Sequence, residues 1–175
     1  DRFNGFVKEF PKSQFAPVAR FNTQIIYKKA NKIDLAIDSA EDLLKIYGKE
    51  IFEGELGKVN VECMIILNLA AYNNQVADYA KAAEWYEKFI DKWKDDKEAP
   101  DALFDSATFR LGLGDTKSAI AGFTKYIESY PKQKDRAKVY LRIASIYEDG
   151  ENYKTAASMY GAFSDPKNKL TRGAK

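Results

Sequence analysis

The chain has 175 residues, of which 45% are hydrophobic, and this is enough for one ordinary domain with a hydrophobic core. Its 28 Lys and Arg residues nearly balance 26 Asp and Glu residues at a net charge of +2, so charge alone does not indicate nucleic acid or an anionic membrane as a partner. One cysteine and no histidine exclude an intrachain disulfide, a Cys/His zinc cluster, and catalysis by Ser-His-Asp or Cys-His groups.

The first 13 residues are predicted to be the second helix of an incomplete helical unit. This helix should end at Phe10-Pro11, because proline cannot continue a helix. The spacing of Phe3, Phe6 and Phe10 recurs 120 residues further along the chain, inside a complete unit. The sequence therefore predicts that the chain is a piece of a longer protein.

A first complete unit is predicted over residues 17–50. Its two helices should span 17–30 and 33–47, with Gly48 as the C-terminal stop. Residues 50–58 carry two glycines and interrupt the pattern, so a longer loop or a lengthened helix end is expected there.

Three further units are predicted over residues 63–98, 100–134 and 137–168. The whole is interpreted as a single domain over residues 1–170, followed by a tail over residues 171–175. No strands are expected, because apolar residues recur at spacings of three, four and seven rather than at every second position.

An alanine recurs every 37 residues, at Ala82, Ala119 and Ala156. Aromatic residues follow each alanine by four and by seven positions: Tyr86, Phe89, Phe123, Tyr126, Tyr160 and Phe163. Small side chains let two helices approach closely, and the aromatic side chains are expected to be buried between neighbouring units. A helix pair of this size cannot bury its apolar stripe alone, so the pattern predicts a stack of units, an α-solenoid.

This pattern resembles the tetratricopeptide repeat (TPR). The third unit carries the resemblance most completely, with Ala107, Gly114, Ala119, Phe123 and Pro131 at the positions of the repeat. The resemblance covers most of the chain and is strongest in its second half. It implies about four helix-turn-helix units in a right-handed superhelix, whose first helices line a concave groove that binds partner segments and performs no catalysis.

The first half departs from the repeat. The second unit has Ala77 in place of the turn glycine, and the first has Gln24 where the small residue of the first helix belongs. Generic helical-hairpin repeats therefore remain an alternative for this half. The 37-residue period and the ending Tyr130-Pro131 are similar to bacterial cell-envelope members of the family, which favours the periplasm or cell envelope as the location, with the cytoplasm as the alternative.

The resemblance assigns the partner-binding surface to three positions of each first helix. They lie three residues before, one after and four after the small position between the helices. The first row is Phe21, Leu67, Phe104 and Leu141; the second is Ile25, Ala71, Thr108 and Ser145; the third is Lys28, Asn74, Leu111 and Glu148.

Two interpretations of the apolar first row stay open. In one, the row is the floor of a hydrophobic groove for an extended or helical partner segment, and the third row fixes its orientation. Alternatively, these side chains pack against adjacent first helices, or a terminal helix absent from this chain fills the groove. The pattern with which cochaperones of this family hold a peptide carboxylate is not present, although Lys28, Asn74, Lys138 and Arg142 could offer donors.

No catalytic, metal or cofactor site is predicted. Asp34, Asp38 and Glu41 share one helical face, but no glycine-bearing calcium loop accompanies them. Lysines are mixed with acids rather than gathered in a stripe, which disfavours nucleic acid, and no apolar run approaches the roughly 20 residues of a membrane span.

The predicted function is that of a non-catalytic scaffold for protein–protein interaction. It would bind a partner segment with apolar side chains, in a bacterial envelope assembly or motility complex. The alternative is a structural segment of a larger TPR protein that forms homo-oligomers, since truncated solenoids expose apolar faces at their ends.

Overall fold

A computed structural model of the chain describes residues 2–48, 51–54 and 57–164. The described residues form nine α-helices joined by short turns, which confirms an all-α solenoid of about four helix pairs. The tail predicted over residues 171–175 lies outside the described residues. The helices are α1 (Arg2–Glu9), α2 (Ala16–Lys29), α3 (Ile33–Tyr47), α4 (Val61–Gln75), α5 (Tyr79–Lys92), α6 (Ala99–Gly112), α7 (Thr116–Ser129), α8 (Arg136–Asp149) and α9 (Tyr153–Ser164).

One segment departs from the expectation that the chain contains no strands. Between α3 and α4, where a longer loop or helix end was predicted, β1 (Ile51–Gly54) pairs antiparallel with β2 (Gly57–Asn60). Phe52 lies opposite Val59, and Gly54 lies opposite Gly57. Aromatic and β-branched residues favour strands, whereas a helix interior disfavours glycine. The two glycines that interrupt the helical pattern therefore lie at one end of a strand pair.

The turn within each helix pair has the same backbone geometry in all four pairs. One residue per turn adopts the left-handed conformation, and the next residue donates its N–H to the carbonyl five positions earlier, which ends the first helix in a Schellman motif. The left-handed residues are Asn31 (φ 56°), Ala77 (φ 61°), Gly114 (φ 81°) and Glu151 (φ 59°).

The residue after the left-handed position also starts the second helix in three of the pairs. The side chains of Asp78 and Asp115 each accept a hydrogen bond from the backbone N–H three residues later, both at 3.1 Å, and Asn152 does so at 3.3 Å. An Asp or Asn side chain at this position satisfies one of the free N–H groups of the helix start. A single short turn therefore ends one helix and begins the next.

Ala77→Gly is expected to raise the free energy of unfolding by up to about 1 kcal/mol, because the left-handed conformation is costly for any residue with a Cβ atom. Gly114→Ala should lower it by about 1 kcal/mol through backbone conformation alone, since a Cβ atom at Gly114 would meet nothing within 4 Å. Urea denaturation followed by circular dichroism measures both. Equal stabilities for the wild type and the two variants would contradict the assigned turn geometry.

The helices form two compact bodies, which are described separately. The N-terminal body, Asp1–Lys94, contains α1 to α5, and the C-terminal body, Asp95–Lys175, contains α6 to α9. Within each body a helix packs against its neighbours in chain order, as expected of stacked helix pairs. The single domain interpreted over residues 1–170 stays a prediction.

Small residues mark the closest helix contacts in both bodies. In the N-terminal body Ala36 and Ala40 of α3 are fully buried in a cluster that includes Leu43 and Leu69. In the C-terminal body Gly122 of α7 lies against Ala107 of α6, so closely that a Cβ atom on the glycine would be 2.8 Å from the alanine Cβ. Gly122 and Ala107 therefore allow α6 and α7 to approach closely.

Candidate functional site

The predicted partner-binding rows of the N-terminal body lie on α2 and α4. Phe21 is half-buried and packs against the hydrophobic cluster, while Lys28 is exposed and its Nζ lies 5.7 Å from the centre of the Tyr72 ring. These side chains combine a packing role with partial exposure. Of the other predicted residues in this body, Ile25 and Leu67 are half-buried, and Ala71 and Asn74 are exposed.

The C-terminal body contains an open cleft of about 600 Å³. Phe104 of α6 and Leu141 and Ser145 of α8 line it, so the structure brings together three of the six residues predicted for this body. The other three, Thr108, Leu111 and Glu148, are not among its lining residues. The remaining lining residues are Asp135, Lys138, Val139, Arg142 and Tyr160.

Phe104 belongs both to the cleft and to the packing between helices. Its ring lies 5.6 Å from the ring of Phe123 and 6.0 Å from that of Tyr126, both on α7, and it stays half-buried. Aromatic pairs at these separations stabilise a fold beyond the area they bury. One edge of the Phe104 ring therefore packs against the second helix of its own pair, and its exposed part faces the cleft.

The cationic side of the cleft is formed by Lys138 and Arg142, one helical turn apart on α8. The Arg142 guanidinium lies 5.3 Å from the centre of the Phe123 ring and 5.9 Å from that of Phe104. Stacking on aromatic rings holds a guanidinium in place while leaving its N–H donors available.

The acidic groups beside the cleft have hydroxyl partners. Asp135 accepts a hydrogen bond of 2.6 Å from the Tyr126 hydroxyl, and Glu148 accepts one of 2.8 Å from the Tyr160 hydroxyl. Burial, followed by the bond to Asp135, raises the pKa of Tyr126. The bond to Glu148, followed by partial burial, raises the pKa of Tyr160. Both phenols therefore stay protonated and act as donors at neutral pH.

Five of the eight residues that line the cleft lie outside the predicted positions, because the prediction considers only three positions per first helix. The sequence pattern offers Lys138 and Arg142 only as donors for the cochaperone arrangement, and it predicts that Tyr160 is buried between neighbouring units. A signal was available in the spacing of Lys138, Leu141 and Arg142, which places two cations beside an apolar residue on one helical face.

The six aromatic residues that follow the recurring alanines are buried only in part. Phe89, Phe123 and Tyr126 are buried as expected, whereas Tyr86, Tyr160 and Phe163 are half-buried. Tyr160 and Phe163 lie on α9, the last helix that the structure describes, where no following helix pair covers them.

A second pocket of about 300 Å³ opens on another side of the C-terminal body, between α7, α8 and α9, with Ile127, Ile143 and Met159 in its wall.

In the described part of the chain no group of three His, Cys, Asp or Glu side chains is arranged to hold a metal ion. No helix among the described residues combines the length and hydropathy needed to cross a membrane.

Residues 101–132, which span α6 and α7, match the tetratricopeptide repeat by sequence. A comparison with curated protein sequences gives no match. The repeat recognised by resemblance in the third unit is thus confirmed independently.

Solved structures extend the likeness of fold to nearly the whole chain. MamA of strain AMB-1 is 19% identical with a TM-score of 0.63, over 99% of this chain and 85% of that one. MamA from Desulfovibrio magneticus RS-1 is 13% identical with a TM-score of 0.58, over 92% of this chain and 81% of that one. A tetratricopeptide repeat protein from Parabacteroides merdae is 17% identical with a TM-score of 0.61, over 98% of this chain and 61% of that one. The fold is that of TPR proteins.

Proposed function

We propose that this chain is a non-catalytic scaffold that binds a segment of a partner protein in the cleft of its C-terminal body. Stacked helix pairs of this kind present concave surfaces for binding other proteins, so the fold itself favours a protein partner. The observation that carries the proposal is the 600 Å³ cleft, in which predicted binding residues from α6 and α8 meet around a half-exposed aromatic floor.

The chemistry of the cleft suits binding better than catalysis. The sequence contains no histidine, and the Asp135 carboxylate and Tyr160 phenol of the cleft are hydrogen-bonded to Tyr126 and Glu148. A general acid or base must be able to reach the proton that it transfers. An apolar floor with long cationic side chains at its edge is instead typical of a surface that recognises a peptide.

The second candidate is a homo-oligomerisation segment, and exposed apolar side chains at the start of the N-terminal body favour it. Phe10 and Phe15, which flank the connection from α1 to α2, are 50% and 59% exposed, and Val18 on α2 is 48% exposed. Adjacent large apolar side chains in water indicate an interaction surface.

For the location, we propose the bacterial periplasm or cell envelope, in an assembly or motility complex. The support is the 37-residue period and the Tyr130-Pro131 ending of the third unit. Fractionation of cells that produce the full-length protein tests this, and recovery in the cytoplasmic fraction alone would exclude it.

A photo-crosslinking residue in place of Leu141 tests the cleft directly. Leu141 lines the cleft, and Leu113, which is 49% exposed in the turn after α6, provides a matched control. In cells, the crosslinker at position 141 should yield an adduct with another protein that mass spectrometry identifies, and position 113 should not. The identified segment, made as a peptide, should bind the purified chain with a dissociation constant in the micromolar range, about 1–100 μM.

Light scattering on the purified chain distinguishes binding of a partner segment in the cleft from homo-oligomerisation. A monomer over roughly a hundredfold range of concentration, together with the adduct at position 141, supports the cleft. A dimer over that whole range, with crosslinks only to a second copy, supports homo-oligomerisation and contradicts the cleft.

A further inference from the structure

The side chains of the two cations in the cleft differ in how firmly they are held. Arg142 is held over the rings of Phe104 and Phe123 at 5.9 and 5.3 Å, so its guanidinium is positioned before any partner arrives. Lys138, one turn earlier on α8, is exposed and mobile about its four-carbon stem. The pair therefore offers one fixed planar donor and one adaptable charge along the same wall of the cleft.

Neither cation has an ion-pair partner among the residues that the structure describes. Of the carboxylates closest in the sequence to this wall, Asp135 lines the cleft and accepts a hydrogen bond from Tyr126 at 2.6 Å, and Glu148 accepts one from Tyr160 at 2.8 Å. This contrasts with Lys92, which pairs with Glu62 in the N-terminal body. The cleft therefore holds two cations, Lys138 and Arg142, against the single carboxylate of Asp135, and positive charge remains in excess beside the apolar floor.

We infer that the partner segment presents a side-chain carboxylate next to an apolar side chain, with the carboxylate on Lys138 and Arg142 and the apolar group against Phe104 and Leu141. This inference rests on the proposed function and specifies the chemistry of its partner. A charge-assisted hydrogen bond to a guanidinium is roughly twice as strong as a neutral one, and the neighbouring apolar floor lowers the local dielectric, which strengthens it further.

The geometry favours an internal segment over a chain terminus. The cleft is open and is lined by residues of α6, α8 and α9 together with Asp135, the residue before α8. An open cleft lets a segment pass through in both directions.

Three fluorescein-labelled peptides with amidated ends test the inference by fluorescence polarisation. They differ only in the core between Gly-Ser flanks: Leu-Glu-Leu-Glu, Leu-Gln-Leu-Gln or Leu-Lys-Leu-Lys. We expect the Glu peptide to bind about tenfold more tightly than the Gln peptide, since two partly exposed charge pairs together contribute on this scale. The Lys peptide should bind most weakly, and raising the salt concentration should reduce the advantage of the Glu peptide.

Substitutions of Lys138 identify the group responsible. Lys138→Gln should reduce binding of the Glu peptide by roughly three- to tenfold and leave the Gln peptide unchanged, and Lys138→Glu should make the Lys peptide the tighter ligand. Lys154→Gln, an exposed lysine of α9 outside the cleft, is the matched control and should change nothing. Arg142→Gln is a second variant, used after circular dichroism shows that it is folded, because Arg142 also covers Phe123.

The possible outcomes distinguish the inference about the carboxylate from the proposed binding of a partner segment in the cleft. Equal binding of the Glu and Gln peptides, with both crosslinked by the photo-crosslinking residue at position 141, overturns the charge inference and leaves the cleft as a binding site. Saturable binding of none of the three peptides contradicts both. A Glu peptide that binds tightly and equally to the wild type and to both Lys138 variants also overturns the assignment.

Discussion

Phe123→Ala should lower the free energy of unfolding by about 3–5 kcal/mol, and Phe104→Ala should lower it by roughly half as much. Phe123 is fully buried in α7, where it contacts Phe104 and lies beneath Arg142, so alanine there leaves a cavity that its surroundings cannot fill. Phe104 is half-buried and already exposes part of its ring to the cleft. Its removal forfeits less buried area and creates an opening that water can enter.

The measurement must report on the C-terminal body. Trp85 and Trp93 both lie in the N-terminal body, so tryptophan fluorescence follows that body, whereas far-ultraviolet circular dichroism follows all helices. In urea denaturation of the two variants, the loss of stability should therefore be larger when it is followed by circular dichroism than when it is followed by tryptophan fluorescence. Since a domain is stabilised by only about 5–15 kcal/mol in total, Phe123→Ala should bring the C-terminal body close to unfolding. Equal losses for the two variants would contradict the division of faces on which the binding site depends.

The second, third and fourth helix pairs could be predicted from the sequence because they repeat the same small and aromatic positions. The turn within the pairs was harder to predict. Glycine at Gly114 indicated a left-handed residue there, but in the fourth pair Glu151, rather than Gly150, adopts that conformation, and in the second pair Ala77 does. The recurring Asp or Asn that caps the next helix, rather than the glycine, is the sequence feature shared by these three turns.

Two features of the N-terminal body follow from tertiary context that a sequence pattern does not carry. The strand pair β1 and β2 is four residues long on each side, too short for an alternating pattern to be recognised. Gln24, which replaces the usual small residue, is fully buried, and neither polar atom of its amide has a hydrogen-bond partner in the structure. An unsatisfied buried amide costs on the order of 1–3 kcal/mol, and no propensity rule would place it there.

The cleft shows the same limit. The positions that the resemblance assigns to each first helix include Phe104, Leu141 and Ser145, which line the cleft. Tyr160 reaches the cleft from a second helix, which depends on how α9 packs against α8. Arg142 is positioned by rings on α6 and α7, an arrangement that exists only once the two helix pairs are stacked.

Gly122→Ala is expected to lower the free energy of unfolding by about 1–2 kcal/mol, although alanine is the better helix former. The helix propensity of alanine favours the change by up to about 1 kcal/mol. Against this, the new Cβ atom would lie 2.8 Å from the Cβ atom of Ala107, well inside the separation of about 3.5–4.0 Å at which two carbon atoms rest. Neither methyl group can rotate away, so α6 and α7 must move apart, and such overpacking costs about 1–3 kcal/mol.

Gly161→Ala in α9 is the matched control for this prediction, because a Cβ atom there meets nothing within 4 Å. It should raise the free energy of unfolding by about 0.5–1 kcal/mol through propensity alone. The two glycine substitutions should therefore have opposite signs in the same urea denaturation experiment. If both stabilised the chain, α6 and α7 would not approach as closely as the small residues of the repeat indicate. The position of Phe104 in the cleft, which depends on the packing of α6 against α7, would then lose its structural basis.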